Sequence, residues 1–217
     1  MIGEIHNHAS MHRWTGIQRR IGITGGIASG KSSIGNFLKE KKGLPILDAD
    51  VYAKEALGEG EPANIAVFER YGDSVKDQTK SNPSKINRSA LGQIIFGNPK
   101  ERFWIEQLLH PIILRRFKKE LNANKNAPEL ALIIPLLFEA GWTGLCSEIW
   151  IINCTTQQQL KRLRKRDGLT NLEGQQRIKA QWPLEKKLHL ADVVIDNSDE
   201  IEECLKVVAK HYTNNYP

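Results

Sequence analysis

One eight-residue segment near the N-terminus constrains this chain more than any other feature. Residues 25–32 read Gly-Gly-Ile-Ala-Ser-Gly-Lys-Ser, which fits the pattern G-x-x-x-x-G-K-[ST]. A short apolar run, 21–24, precedes the segment, and helical spacing follows it, as the pattern requires. In such a loop successive backbone N–H groups point inward around phosphate oxygens, and the following helix adds the positive end of its dipole. The segment therefore predicts nucleotide binding.

Each residue type in this loop has an expected role. Lys31 is expected to reach the β- and γ-phosphates, the Ser32 hydroxyl to ligate Mg²⁺, and Ser33 to lie beside the α-phosphate. Glycine is needed where a Cβ would block the approach of the backbone or where φ is positive. The residues of the loop predicted to bind ATP are Gly26, Ala28, Ser29, Gly30, Lys31, Ser32 and Ser33.

A phosphate loop occurs in GTPases, ATPases and small-molecule kinases, so it does not by itself name the reaction. The sequence has no N-K-x-D motif of the kind with which GTPases read the base. A motor or helicase ATPase would be expected to have a larger chain and an aliphatic strand that ends in aspartate. The nearest such run, 130–137, continues into Phe138-Glu139. These differences favour a small-molecule kinase.

The apolar pattern predicts an α/β fold. Compact runs rich in Ile, Val and Leu, typical of parallel strands covered on both faces, lie at 20–24, 44–47, 130–135, 149–154 and 193–195. Helical stretches separate them, so we expect a P-loop NTPase-type doubly wound core with a five-stranded parallel sheet. The core is assigned to 19–51, 129–154 and 184–217. Two helical insertions interrupt it, at 52–128 and 155–183, and the second is strongly basic.

The N-terminal arm and the cysteines point to a soluble cytoplasmic protein. Residues 1–18 are interpreted as a disordered leader with a possible start at Met11, although His6, His8 and His12 are residues that could bind zinc or nickel. The three cysteines are an odd number without C-x-x-C spacing, which fits a reducing compartment. No apolar stretch reaches the roughly 18 residues of a membrane span. We expect a monomer or small homo-oligomer.

A pair of carboxylates follows the second predicted strand. Asp48 and Asp50 are separated by one residue, so on an extended backbone they point the same way, into the crevice where α/β sheets bind ligands. One could hold a Mg²⁺-bound water, and the other could accept the proton of an attacking hydroxyl. Alternatively, either aspartate caps the next helix, predicted at 51–57, and Asp50 could do both.

A dense basic run at 161–166 contributes to the net charge of +6. A positive balance of this size suits polyanionic partners. Arg162 and Arg166 are four residues apart on one predicted helix face and could clamp a transferring phosphoryl group. A solvated face or a nucleic-acid patch is the alternative. No RNA-binding signature and no interleaved aromatic residues accompany the run, so phosphate binding is favoured, with Arg166 the best candidate.

Taken together, these segments resemble the dephospho-CoA kinase family. The matching segments, in chain order, are IGITGGIASGKSS, ILDADVYAKE, LLHPII, IPLLFEAGW, QLKRLRKRDGLT and ADVVIDN. The resemblance runs from about residue 19 to the C-terminus, and the order and spacing of the segments make it specific. The family usually has glycine at the position of Ala28, where a positive φ would cost alanine about 1–2 kcal/mol. Ser33 replaces the commoner threonine.

The resemblance implies transfer of the ATP γ-phosphoryl group to the ribose 3′-hydroxyl of dephospho-CoA, the final step of coenzyme A biosynthesis. Asp50 would be the general base, and Asp48 would help to hold Mg²⁺. Residues 52–128 would form the acceptor-binding helical domain and 155–183 the mobile lid, from which Arg166 reaches the phosphates with Arg162 in support. The partners would be ATP and dephospho-CoA, without nucleic acid or membrane.

Four further residues have both a functional and a structural interpretation. His110 could contact the acceptor, or, since it precedes Pro111, could simply end or kink a helix. Glu139 follows the third strand and could contact the acceptor or an arginine, or form a structural ion pair with the lid or the helical domain. Phe138 could face the acceptor. Asn197 ends the last strand, and the backbone there could frame adenine.

Two other functions stay open at this point. One is a different small-molecule kinase, of the nucleoside, shikimate or gluconate type, which the large helical insertion and the P-L-L-F-E segment disfavour. The other is a nucleotide-gated nucleic-acid-binding protein that uses the basic run as its contact surface.

Overall fold

The computed structural model describes residues 12–77 and 84–214 of the chain. Its sheet has five parallel strands in the order β2-β3-β1-β4-β5. The strands are β1 (Arg19–Gly25), β2 (Ile46–Asp48), β3 (Glu129–Ile133), β4 (Glu148–Asn153) and β5 (Val193–Asp196). The predicted α/β fold with a five-stranded parallel sheet is therefore confirmed. Because β1 lies in the centre, the phosphate loop that follows it opens at the middle of the carboxyl edge of the sheet.

Helices cover both faces of the sheet, and further helices lie beside it. They are α1 (Lys31–Lys42), α2 (Ala49–Ala56), α3 (Pro62–Tyr71), α4 (Arg88–Gly97), α5 (Pro99–Ala123), α6 (Thr156–Asp167), α7 (Asn171–Lys179), α8 (Leu184–Leu188) and α9 (Ile201–Asn214). Thr155 and Thr170 begin α6 and α7 with reciprocal capping boxes. The side chain of Asn98 caps α5, and Pro99 occupies its first turn.

Three apolar clusters hold these elements together. One face of the sheet packs against α5 through Phe117, and the other packs against α1 through Ile34 and Leu38. Helices α3, α4 and α5 share a separate cluster around Val67 and Ile105. This separate core lets α3, α4 and the first part of α5 pack with one another beside the sheet, whereas the later part of α5 packs on the sheet itself.

Helix α5 decides one of the alternatives given for His110-Pro111. The helix does not end there, because α5 continues through Pro111 to Ala123. The proline removes one backbone hydrogen bond, which the buried contacts of Ile113, Phe117 and Leu121 offset.

Residues 12–18, which the sequence placed in a disordered leader, contact the core. The Trp14 backbone N–H donates to the Cys146 carbonyl at 2.9 Å, and the Arg20 guanidinium lies 3.4 Å from the centre of a Trp14 ring. Arg13 forms an ion pair with Asp192 at 3.1 Å. The histidines at positions 6 and 8 and the possible start at Met11 lie outside the described residues.

Two absences hold for residues 12–77 and 84–214. No helix there is long and apolar enough to cross a membrane. No group of three or more His, Cys, Asp or Glu side chains there is arranged to hold a metal ion. Cys146, Cys154 and Cys204 are buried free thiols.

Candidate active site

The phosphate loop joins β1 to α1 and has the backbone that its glycines predict. Gly25 and Gly30 have φ values of 142° and 103°, which L side chains rarely adopt. A Cβ on Gly25 would lie 2.3 Å from the Ile152 carbonyl oxygen. Ala28 has φ of 58° and is the one non-glycine residue with positive φ in the described part of the chain. The strain foreseen for alanine at this position is therefore present.

The side chain of Lys31 binds the backbone at the start of the phosphate loop. Its Nζ donates to the carbonyl oxygens of Gly25 and Gly26 at 3.2 and 2.8 Å. Burial lowers the pKa of Lys31 to about 8, an effect that Asp50 opposes and Lys187 strengthens. A phosphate bound in the loop would place negative charge close to the buried Lys31 amine and favour its charged form. The site is therefore electrostatically suited to an anion.

Two glutamine side chains bind the tip of the loop from the elements that follow β4. Gln159 in α6 donates Nε2 to the Ile27 carbonyl at 2.8 Å, and the Ile27 N–H donates to Oε1 of Gln181 at 2.8 Å. Sequence reasoning missed both glutamines. Their residue type carries no signal for this role, which depends on the tertiary approach of the predicted lid to the loop.

Asn197 also supports the loop, although not in the predicted way. Its Nδ2 donates to the Ser29 carbonyl at 2.7 Å, and its own carbonyl accepts from Arg162 Nη2 at 2.8 Å. A Cβ on Gly30 would lie 2.2 Å from Asn197 Nδ2, which gives a second reason for glycine there. The Asn197 carbonyl is therefore hydrogen-bonded to an arginine, and the framing of adenine by backbone groups of this turn stays a prediction.

The acidic pair spans a junction between strand and helix. Asp48 ends β2 and caps α2, because its Oδ1 accepts from the Asp50 backbone N–H at 2.8 Å. Asp50 lies in the first turn of α2 and is exposed. The expected extended spacing of the two carboxylates is therefore wrong, and the capping residue is Asp48 rather than Asp50. Burial raises the pKa of Asp48, and the charge of Asp50 adds to this rise.

A cavity of about 630 Å³ lies over the loop and extends toward α4 and α5. The predicted site residues that line it are Ala28, Ser29, Gly30, Lys31, Ser32, Ser33, Asp50, His110, Arg162 and Arg166. Those that do not are Gly26, Asp48, Phe138, Glu139 and Asn197. The far wall is largely apolar, with Phe96, Leu109 and Trp142 among its residues. The cavity thus joins a phosphate-binding end to an apolar end.

The arginines of α6 and α7 form one side of this cavity. Arg166 pairs with Asp167, and Arg177 Nη1 lies 3.3 Å from the same carboxylate. The Arg177 guanidinium also lies 5.1 Å from the centre of the Phe96 ring in α4. Sequence reasoning missed Arg177, which lies outside the dense basic run that gave the signal.

The remaining predicted residues, His110, Phe138 and Glu139, contact other side chains of the protein. His110 makes an edge contact with Trp142, with ring centres 5.3 Å apart, and burial lowers its pKa. Phe138 is buried in the core. Glu139 Oε1 lies 2.6 Å from Lys187 Nζ and accepts from the Trp182 backbone N–H at 2.9 Å. Glu139 thus forms a structural ion pair, as in the alternative given for it from the sequence, with a partner in α8, just after the predicted lid.

A phosphate loop at the centre of a parallel sheet, an exposed aspartate beside it and arginines along the cavity define a P-loop kinase. The dephospho-CoA kinase family model matches residues 19–203. A curated dephospho-CoA kinase of Prochlorococcus marinus is 54% identical over 86% of this chain and 91% of its own length. One of Synechocystis is 46% identical over 86% and 90%. The chain belongs to the dephospho-CoA kinase family, which confirms the resemblance.

Solved structures agree with this assignment. A protein from Thermus thermophilus is 29% identical with a TM-score of 0.73, over 93% of this chain and 100% of its own. A dephospho-CoA kinase from Campylobacter jejuni is 26% identical with a TM-score of 0.61, over 90% and 96%. A shikimate kinase from Acinetobacter baumannii, at 13% identity and a TM-score of 0.50 over 92% and 96%, shares the fold.

Proposed function

We propose that this chain transfers the γ-phosphoryl group of ATP to the ribose 3′-hydroxyl of dephospho-CoA, giving coenzyme A and ADP. The observation that carries the proposal is a continuous cavity that runs from the phosphate loop to the wall formed by α4 and α5. One end suits the polyphosphate of ATP, and the other, where Phe96 and Trp142 line the wall, suits the adenine ring of the acceptor. Membership of the family supports the same reaction.

The proton of the acceptor hydroxyl goes to Asp50 in this proposal. Asp50 lines the cavity beside the loop, and its carboxylate is exposed and free to meet an incoming hydroxyl. Lys31 and Arg166 neutralise the charge that spreads over the transferring phosphoryl oxygens. Arg162 supports them and is itself held by the hydrogen bond that it donates to the Asn197 carbonyl, directly after β5.

The residues present fit a magnesium ion. Ser32 supplies a hydroxyl in the cavity wall and Asp48 a carboxylate at the adjoining end of β2, and both are the hard oxygen ligands that Mg²⁺ prefers. We propose that these two residues hold it. Bound there, the ion would supply positive charge that offsets the negative charge of the phosphates.

The domain roles are part of the proposal. Residues 52–128 receive the acceptor, with His110 in the wall of its pocket. Residues 155–183 act as the lid, whose closure excludes water from the phosphoryl group. Phe138 and Glu139 stay predicted acceptor contacts that the cavity geometry does not favour. A cytoplasmic location and a monomer or small homo-oligomer complete the proposal.

A comparison of acceptors tests the reaction. ADP release is followed with dephospho-CoA, adenosine and shikimate in parallel, and the product is checked by mass for a single added phosphoryl group. We expect turnover with dephospho-CoA and at least a hundredfold lower rates with the others, since each lacks part of the acceptor. Preference for adenosine or shikimate would overturn the proposal. Salt-sensitive RNA binding without any turnover would favour the nucleic-acid alternative.

A further inference from the structure

A buried ion pair lies next to the phosphate site without lining it. The side chain of Lys187 in α8 is fully buried, and its Nζ lies 2.6 Å from Oε1 of Glu139, in the segment after β3. The same carboxylate oxygen accepts from the backbone N–H of Trp182 at 2.9 Å. Glu139 therefore contacts both α8 and the short connection that precedes it.

The connection between α7 and α8 is bound on two sides. Gln181 accepts a hydrogen bond from the Ile27 N–H of the phosphate loop, and the next residue, Trp182, donates its own N–H to Glu139. Gln181 lines the cavity, whereas Glu139 and Lys187 do not. Gln181 thus contacts the phosphate loop, and its neighbour Trp182 contacts a carboxylate that pairs with Lys187.

Stability alone is a weak reason for such a pair. A buried ion pair can often be replaced by apolar side chains of similar volume at little cost, because desolvation of both charges offsets their attraction. A carboxylate in a fixed place can, however, fix the backbone that donates to it. Lys187 also lies close enough to Lys31 to influence its charge.

We propose that Glu139 and Lys187 are positioning residues that fix the end of the lid, so that Gln181 holds the phosphate loop in its nucleotide-binding shape. In this role they act through Trp182 and Gln181 rather than through contact with a substrate. This role rests on the proposed kinase function, with the loop as the ATP site. Loss of the carboxylate oxygen frees Trp182, and Gln181 then leaves Ile27 for part of the time.

A double-mutant cycle on ATP affinity tests the coupling. The pair is replaced by Glu139→Leu with Lys187→Met, which removes both charges and the acceptor oxygen together, and Gln181→Ala is made alone and on that background. We expect each change to weaken ATP binding about fivefold, the value of one hydrogen bond. The combined variant should be no weaker than either parent, since all act through one contact. Multiplied losses, or ATP affinity unchanged in Gln181→Ala, would overturn the proposal.

Conservative variants separate positioning from folding. Glu139→Gln with Lys187→Met keeps an oxygen for the Trp182 N–H, so we expect it to recover part of the lost ATP affinity. Unfolding by urea is measured for every variant. A Leu/Met variant that loses stability but binds ATP normally would show a merely structural pair. Gln181→Ala changes a cavity-lining side chain, so it tests the proposal even if the Leu/Met variant does not fold.

An exposed pair provides the matched control. Lys206 Nζ also lies 2.6 Å from Glu203 Oε1, but on the surface of α9. Glu203→Gln with Lys206→Met should leave ATP affinity unchanged, and a change there would show that charge loss alone explains the effect. ATP binding is measured by calorimetry without acceptor. A wild-type chain that binds ATP but does not phosphorylate dephospho-CoA would therefore contradict the proposed reaction and leave the positioning test intact.

Discussion

Arg166 donates Nε and Nη2 to the two carboxylate oxygens of its neighbour Asp167, at 2.8 and 2.9 Å. This pairing raises the pKa of Arg166 and lowers the pKa of Asp167. Arg166 nevertheless lines the cavity and is close enough to Asp50 to feel its charge. The pairing uses Nε and Nη2, so a phosphoryl group in the cavity could bind at Nη1 while Asp167 keeps both Arg166 and Arg177.

The role of Arg166 is tested by Arg166→Met, which keeps much of the side-chain volume and removes the charge. We expect kcat to fall by about 10²–10³, as for loss of one group that stabilises the transition state, with a smaller change in ATP affinity. Arg164→Met is the control, because Arg164 is exposed on the same helix and does not line the cavity. Equal losses in the two variants would assign the effect to general charge.

Asp50 is tested by Asp50→Asn, which preserves shape and removes the proton acceptor. We expect turnover to fall by about 10²–10⁴, the contribution of a general base, while ATP binding measured by calorimetry stays nearly unchanged. Asp50 donates only its backbone N–H to the cap, so α2 should remain folded. An equal loss of ATP affinity would contradict the assignment of Asp50 as the base.

Asp48 has two roles that different substitutions can separate. Asn caps helices about as well as Asp, so Asp48→Asn should leave the free energy of unfolding nearly unchanged, whereas Asp48→Ala should lower it by about 1 kcal/mol. Both remove the carboxylate, so both should raise the Mg²⁺ concentration needed for half-maximal rate. Urea unfolding and a magnesium titration of activity measure the two effects. An unchanged magnesium requirement would exclude Asp48 as a ligand.

The sequence predicted those parts of the molecule that local pattern determines. Apolar runs identified all five strands, and the glycine spacing identified the phosphate loop with Lys31 and Ser32. The second strand begins two residues and ends one residue later than predicted, because 44–47 is apolar whereas the observed strand runs from Ile46 to Asp48. Apolar content reports burial, and it does not report which residue makes the last ladder contact.

What the sequence could not predict depends on segments that meet only in the fold. Gln181 and Ile27 are 154 residues apart, and Glu139 and Trp182 are 43 apart. A glutamine that binds a loop has no periodicity or spacing to reveal it. The assignment of the helix cap to Asp48 has a different, local cause, since it depends on whether the helix begins at residue 49 or 51.

Ala28 gives a prediction about stability with a known sign. Ala28→Gly relieves a positive φ worth about 1–2 kcal/mol, offset by roughly 0.4–1 kcal/mol for the greater freedom of glycine in the unfolded chain. We expect a small net gain, on the order of 0.5–1 kcal/mol, in urea unfolding. Ala66→Gly in the middle of α3 is the control and should lose about 1 kcal/mol. A loss in both variants would mean that Ala28 is not strained.

Lys31 should make ATP binding depend on pH in a defined direction. The pKa of Lys31 is lowered to about 8 by burial, so above that pH the free chain holds a largely neutral amine. Phosphates favour the charged form, so ATP binding near pH 9 should take up about one proton, whereas near pH 6.5, where Lys31 already holds its proton, this uptake should vanish. ATP affinity should fall as pH rises through about 8.

Calorimetry in two buffers of different ionisation enthalpy measures the proton uptake, and ATP itself is fully ionised at the higher pH. Lys31→Met should abolish the uptake, while Lys39→Met, on the exposed side of α1, should retain it. Uptake that persists in Lys31→Met would place the titrating group elsewhere.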